Sequence, residues 1–195
     1  MIRVLINEEE LSSRISDLAE SLYEEYKDNE VVFVCTLKGA VFFTCELLKH
    51  YKGDARLEFL RVSSYEGQKT SGKVELNLSV SKKNIEGKDV VLLEDIVDKG
   101  YTLEFLKGYI GDMKPKTFKM IALLDKETKR EAEIDPDCSC FKIDDLFVVG
   151  FGLDDNQKYR NLPFIGVVEP DKELTPEKEG EMVLKRRGQQ WQKEN

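Results

Sequence analysis

The sequence predicts an α/β protein built on a mainly parallel central sheet flanked by helices. Three observations carry that prediction. Short β-rich apolar runs alternate with amphipathic stretches through the first two thirds of the chain, and alternation of strand and helix implies parallel strands with helices on both faces. Runs such as EVVFVCTL are apolar almost throughout, as strands covered on both sides are. A length of 195 residues suits one domain with a real core and a small added lobe.

The elements follow in order. RVLIN is a strand, and EEELSSRISDLAESLYEEYKDN places Leu11, Ile15, Leu18 and Leu22 at helical spacing. EVVFVCTL is a buried strand that runs into KGAVFFTCELLKHYKG, a helix expected to end at Gly53. LEFLRVSSY and KVELNLSVS alternate like the arms of a hairpin around the polar loop YEGQKTSGK. DVVLLEDI leads to the helix TLEFLKGYIGDM, TFKMIALLDK is the next strand, and the last core strands are expected at LFVVGFGL and FIGVV. The expected boundary of the folded domain is residue 168. From Glu169 to Asn195 the chain is highly charged, with Trp191 its one strong anchor, and is expected to be a solvated tail or a loosely docked helix.

Charge and composition exclude several function classes. A formal net charge of −8 and a pI near 5.0 argue against sequence-independent nucleic-acid binding, which requires clustered positive charge. No apolar run approaches the ~18 to 20 residues of a spanning helix, and MIRVLINEEEL lacks the apolar core of a secretory signal. A cytoplasmic protein without membrane or nucleic-acid partners is expected. Cys35 and Cys45 lie in apolar segments, where cysteine acts as a small hydrophobe. Cys138 and Cys140 form a lone C-x-C far from the single histidine, His50; structural zinc takes about four ligands, so no zinc site is expected.

The stretch VVLLEDIVDKGYTL, residues 90 to 103, raises a physical question. Ionised carboxylates are costly to bury, so Glu94, Asp95 and Asp98 at the end of a buried strand need a rim, a cation or a ligand. In parallel sheets ligands bind outside the carboxyl ends of the strands. Gly100 permits a tight turn, and Thr102 stands where a helix begins. Successive backbone N–H groups at such a turn suit a phosphate. The adjacent acids Glu94 and Asp95 suit sugar hydroxyls or a magnesium ion that keeps most of its waters. Together these features suggest a ribose phosphate; an acidic N-cap on a surface helix is the plainer alternative.

This stretch resembles the phosphoribosyl-pyrophosphate motif of type I phosphoribosyltransferases: apolar residues, two acids, two apolar residues, then D-[TS]-G-x-T. LKGA at 37–40 is similar to that family's pyrophosphate loop, VSSYEGQKTSG at 62–72 to its flexible covering loop, and LLDK at 123–126 to its purine-reading segment. LFVVGFGLDDNQKYRNLPFIGVV resembles the closing segment of hypoxanthine-guanine phosphoribosyltransferases almost residue for residue. The resemblance implies the family fold with a small hood lobe from the terminal segments, and a homodimer or homotetramer. It also implies transfer of the 5-phosphoribosyl group from phosphoribosyl pyrophosphate to N9 of hypoxanthine or guanine, with Mg2+, giving IMP or GMP and pyrophosphate.

Carried onto matching positions, Glu94 and Asp95 would hold the ribose hydroxyls, directly or through metal-bound water. Asp98 would act as general base or proton acceptor at N7, a role worth ~10² to 10⁴ in rate. Lys99, Gly100, Tyr101 and Thr102 would cradle the 5′-phosphate. Lys38, Gly39 and Arg160 would bind the pyrophosphate end, and Asp154, beside the purine, would hold a second magnesium. Lys126 can only donate, which favours a 6-oxo over a 6-amino group. Phe147 offers a stacking face or plain core packing, the backbone of Val148 can read the base edge, and Ser64 and Tyr65 would close over the site.

Three positions depart from the pattern. Lys99 replaces threonine or serine, so a hydroxyl donor is lost and an ammonium can supply charge to the phosphate instead. Tyr101 fills the variable position, and Ala40 replaces the second glycine of the pyrophosphate loop, where a positive φ would strain it. Two alternatives are a regulatory or ligand-binding protein on the same fold with weak or no catalysis, and a magnesium-dependent phosphatase; the latter leaves the closing segment unexplained.

Overall fold

The computed structural model describes residues 1–64 and 74–169. The N-terminal strand β1 (Ile2–Ile6) is followed by helix α1 (Glu8–Tyr26). That helix begins where the polar residues allow it: the Glu10 N–H donates to Asn7 Oδ1 and the Asn7 N–H to Glu10 Oε2, both at 2.9 Å. This reciprocal cap satisfies two of the free N–H groups at a helix start, and such a cap is worth about 1 kcal/mol. Its inner stripe, Leu11, Ile15, Ala19, Leu22 and Tyr26, is buried.

Strand β2 (Val31–Leu37), helix α2 (Val41–His50), strands β3 (Ala55–Ser64) and β4 (Val74–Leu78) follow, then β5 (Asp89–Val97), α3 (Tyr101–Gly111), β6 (Thr117–Asp125) and β7 (Cys138–Lys142). They form one sheet in the order β4-β3-β2-β5-β6-β7. Every pairing is parallel except β3 with β4, the hairpin the alternating pattern predicts. Side chains alternate across it. Val31, Phe33, Val91 and Leu93 face α1 and α2, while Val32, Val34, Val90 and Leu92 face α3. Fully burying one such side chain contributes about 1.5–3 kcal/mol, so these two apolar layers hold the sheet between its helices.

Two expectations need correction, and one strand had no sequence counterpart. Helix α2 stops at His50 rather than Gly53, because Tyr51 turns extended and packs its ring edge-on against Phe33, centroids 5.0 Å apart. The segment CSCFK, with its two cysteines, is an edge strand of the sheet, which its composition did not reveal. LFVVGFGL and FIGVV are not strands of the central sheet. Only β8 (Val148–Val149) and β9 (Ile165–Val168) form, and with β1 they make a separate antiparallel sheet in the order β1-β9-β8. This is the hood lobe from the terminal segments. Ile6, Val148, Leu153, Ile165 and Val167 pack it onto the apolar layer of α1 and α2.

The consequence for function is placement. The carboxyl ends of β2, β5 and β6 lie side by side and deliver Lys38, Asp98 and Lys126 to one edge, and the hood reaches the same edge from above. The covering loop beyond Ser64, with Tyr65, and the tail from Pro170 lie outside the described residues.

Candidate active site

Glu94 and Asp95 emerge on opposite faces at the end of β5. Glu94 is only 9% exposed and touches the buried Thr36, whose hydroxyl also donates to the Leu93 carbonyl at 2.5 Å. Burial, with the neighbouring Asp95 charge, pushes Glu94 up to about 8, against a lowering by Thr36. Asp95 is likewise pushed up to about 6 by burial, although the Ile96 N–H and Arg160 draw it down. Both acids are therefore short of positive charge.

Asp95 also explains Gly39. A Cβ on Gly39 would lie 1.4 Å from Asp95 Oδ2, so the loop after β2 can pass the acid only as glycine. The Leu37–Lys38 peptide is cis. Ala40 has φ of −74° and is fully buried, so the backbone here needs no second glycine. Lys38 Nζ donates to Gln157 Oε1 at 3.1 Å, and Arg160 Nη2 reaches the same oxygen at 3.4 Å. Arg160 also donates to the Gly152 carbonyl at 2.6 Å and pairs with Asp154 Oδ1 at 2.5 Å, while Asp154 Oδ2 accepts the Gln157 N–H at 2.7 Å. The loop holding these groups contains Phe151, Asn156, Gln157 and Tyr159 at positive φ. Such a cluster persists only where surrounding contacts over-determine it, and it is typical of functional loops.

Asp98 lies just past the end of β5. Its Oδ1 is buried and has no hydrogen-bond partner. Its Oδ2 stands 3.8 Å from Lys126 Nζ and 4.0 Å from Lys129 Nζ. Lys126 is 6% exposed and is flanked on its other side by Asp145 at 3.7 Å. Asp145 in turn pairs with Lys129 at 2.8 Å; that hydrogen bond raises the lysine and lowers the acid. Arg130 fixes the backbone here. Its Nη1 donates to the Asp98 carbonyl at 2.7 Å, and its Nη2 pairs with the buried Asp125.

The turn that follows has Gly100 at φ of +93°, with Arg130, Ala132 and Ile134 packed where a side chain would stand. Helix α3 starts without a side-chain cap, so its first N–H groups face the turn. Thr102 lies in that first turn. The Lys99 ammonium is directed not into the turn but to Glu131, at 2.8 Å. Phe147 is 57% exposed and is no core residue; Val148 beside it is buried in the hood sheet. For Ser64 the strand position alone is described.

The structure thus gathers Lys38, Gly39, Asp95, Asp154 and Arg160 around one point and Asp98 and Lys126 around another, while Glu94 turns to Thr36 on the opposite face of β5. Thr36, Arg130, Asp145 and Gln157 escaped sequence reading. Arg130, Asp145 and Gln157 carried a weak signal, the first as a charged residue after the purine-reading segment, the second just before the closing segment and the third within it; Thr36 carried none.

A parallel sheet with a strand-end acid pair, a glycine turn and a hood defines a class. The family described as phosphoribosyl transferase domain matches residues 6–156, and the chain belongs to it. Within it, the chain is similar to hypoxanthine-guanine phosphoribosyltransferases. It is 41% identical over 170 residues to that of Bacillus subtilis, covering 86% of this chain and 93% of the relative. The Lactococcus lactis protein of the same name is 42% identical, covering 87% and 92%. A Bacillus anthracis hypoxanthine-guanine phosphoribosyltransferase structure, with a HEPES molecule in its active site, superposes with a TM-score of 0.80 at 40% identity over 87% of this chain and all of that one. The Trypanosoma cruzi hypoxanthine phosphoribosyltransferase in complex with the product IMP matches with a TM-score of 0.80 at 34% identity, covering 87% and 95%.

Proposed function

We propose that this protein is a purine-salvage enzyme that moves the 5-phosphoribosyl group from phosphoribosyl pyrophosphate to N9 of hypoxanthine or guanine, giving IMP or GMP and pyrophosphate. The observation that carries this is the half-exposed Asp98 carboxylate, whose Oδ2 stands 3.8 Å from the enclosed Lys126 ammonium. A 6-oxopurine offers the complement to both: a ring N–H to donate and an exocyclic oxygen to accept. Adenine presents a donor where Lys126 needs an acceptor, and a mispaired buried polar group is heavily penalised.

In the step itself, the N9 electron pair forms the bond to C1′, the bond from C1′ to pyrophosphate oxygen breaks with its pair going to that oxygen, and the N7 proton passes to Asp98. Arg130 holds the Asp98 backbone while this happens. Lys38 and Arg160 take the pyrophosphate oxygens now represented by Gln157 Oε1, and the N–H groups of residues 99 to 102 receive the 5′-phosphate. Phe147 stacks on the base and Val148 reads its edge. Ser64 and Tyr65 belong to the covering segment that excludes water from an oxocarbenium-like transition state.

The phosphoribosyl transferase family generally uses magnesium with phosphoribosyl pyrophosphate, and the donor set fits it. Asp95, with Asp154 beside it, would offer hard oxygen to the ion, and Glu94, on the other face of β5, is likewise a buried acid wanting a cation. Magnesium takes one or two carboxylates and fills its shell with water and substrate oxygen. When bound, magnesium supplies charge neutralisation for the pyrophosphate.

No helix among the described residues is long and apolar enough to cross a membrane. All four cysteines are free, which suits a reducing cytoplasm. A homodimer or homotetramer is proposed from the resemblance. Leu57 and Phe59 of β3 and Leu78 of β4 share an exposed apolar face that a second copy would cover.

The direct test incubates purified protein with labelled phosphoribosyl pyrophosphate, magnesium and each of hypoxanthine, guanine, xanthine and adenine. Labelled IMP and GMP, with none from adenine, is the expected result. Tight phosphoribosyl-pyrophosphate binding without transfer to any base would replace the enzyme with a regulatory protein on this fold.

A further inference from the structure

Lys99 and Tyr101 are the two residues that set this phosphate loop apart, and they meet on one carboxylate. Lys99 Nζ lies 2.8 Å from Glu131 Oε1. The Tyr101 hydroxyl donates to Glu131 Oε2 at 2.9 Å. The backbone closes the same contact: the N–H groups of Glu131 and Ala132 both donate to the Lys99 carbonyl at 2.9 Å. Glu131 follows Arg130, which is anchored on the Asp98 carbonyl and on Asp125. The Glu131 backbone is thereby fixed beside Lys99, and its half-exposed carboxylate holds two side-chain contacts across the loop.

We infer that Glu131 is a positioning residue that holds Lys99 and Tyr101 across the phosphate loop and weakens the loop's grip on the 5′-phosphate of substrate and product. The inference rests on the proposed phosphoribosyl transfer. A phosphate on the N–H groups of residues 99 to 102 meets the Lys99 charge and the Glu131 charge together. The two are of opposite sign and bonded to each other, so they largely cancel. Lys99 does replace the missing hydroxyl donor with charge, but Glu131 pairs with that charge at the protein surface. Tyr101 uses its hydroxyl on the second carboxylate oxygen, which keeps Glu131 ionised and aimed along the loop.

The charge account makes predictions of opposite sign, which a merely structural contact would not. Glu131→Gln removes the negative member, frees the ammonium, and tightens IMP binding about fivefold, the scale of one unit charge a few ångströms from a phosphate in water-like dielectric. Lys99→Ala leaves the carboxylate uncompensated and weakens IMP by a similar factor. The double variant Lys99→Ala with Glu131→Gln lacks both charges and returns close to the wild-type affinity. Inosine, the same nucleoside without phosphate, binds all four proteins alike. Because free charge is screened by salt, the Glu131→Gln variant also shows the steepest loss of IMP affinity between low and high salt.

Calorimetry with IMP and inosine across a salt series tests this, with thermal melts to show that each variant folds. Weaker or unchanged IMP binding in Glu131→Gln, or a double variant weaker than either single one, overturns the inference while leaving the transferase assignment standing. A folded wild type that binds neither IMP nor phosphoribosyl pyrophosphate overturns the proposed function and this inference with it.

Discussion

The Lys126 ammonium stands 3.8 Å from the Asp98 carboxylate, while Asp145 flanks it at 3.7 Å on the other side. Neither distance is a hydrogen bond, so the enclosed lysine is electrostatically restrained by two acids yet keeps donors to offer. The proposed base reader and the proposed proton acceptor are therefore held as one electrostatic unit.

Replacing Asp98 by asparagine conserves shape but removes the proton acceptor. Turnover should fall by ~10² or more while phosphoribosyl-pyrophosphate affinity stays within a few fold. Stopped-flow single turnovers with calorimetric binding in parallel measure both, and wild-type turnover would remove Asp98 from the chemistry.

Lys126→Ala should weaken hypoxanthine and guanine far more than phosphoribosyl pyrophosphate, because the base alone loses its oxygen partner. Separate binding measurements decide it. Equal losses for both substrates would mean that the base sits elsewhere.

Glu94 and Asp95 make metal-free stability depend on pH. Their folded values, pushed up to about 8 and about 6, exceed the ~4 of unfolded carboxylates. The folded state thus binds more protons, and this contribution is fully present below pH ~4 and lost as pH rises through 6 and then 8. In a chelator, the melting temperature should fall across that window, and Glu94→Gln should flatten the fall. Magnesium should restore stability at pH 8 much more than at pH 5. A melting temperature that rises with pH across this range in the chelated protein would contradict the burial argument.

Two glycines should respond oppositely to alanine. At Gly39 the added carbon would fall on Asp95, so Gly39→Ala should disrupt the loop after β2 and abolish transfer. At Gly108, inside α3, nothing lies within 4 Å of the new carbon, and Gly108→Ala should stabilise the protein by about 0.5–1 kcal/mol. Denaturant melts and activity on both variants test the pair.

Much of this architecture was legible because periodicity reports burial. The apolar runs of β2, β5 and β6 and the stripe of α1 announce themselves, and the acids at the end of β5 mark the ligand edge. Other features depend on tertiary contacts that leave no local pattern. β7 is a short edge strand with few apolar residues. The separation of β8 and β9 from the central sheet depends on pairing with β1 at the far end of the chain. Ala40 looked like a strained substitution only until its φ proved negative. Lys99 looked like a free cation, since the partner that neutralises it lies more than thirty positions away, beyond any window of local reading.

Gln157 casts ligand entry in a different light. Its amide oxygen already draws Lys38 and Arg160 to a shared point. Long basic side chains in solution lose up to ~2 kcal/mol of rotational freedom each when an anion immobilises them. Here much of that ordering is incurred during folding, with a neutral carbonyl as placeholder. If the pyrophosphate end binds here as proposed, the anion would perform an exchange, taking over two cations already in formation and releasing the glutamine.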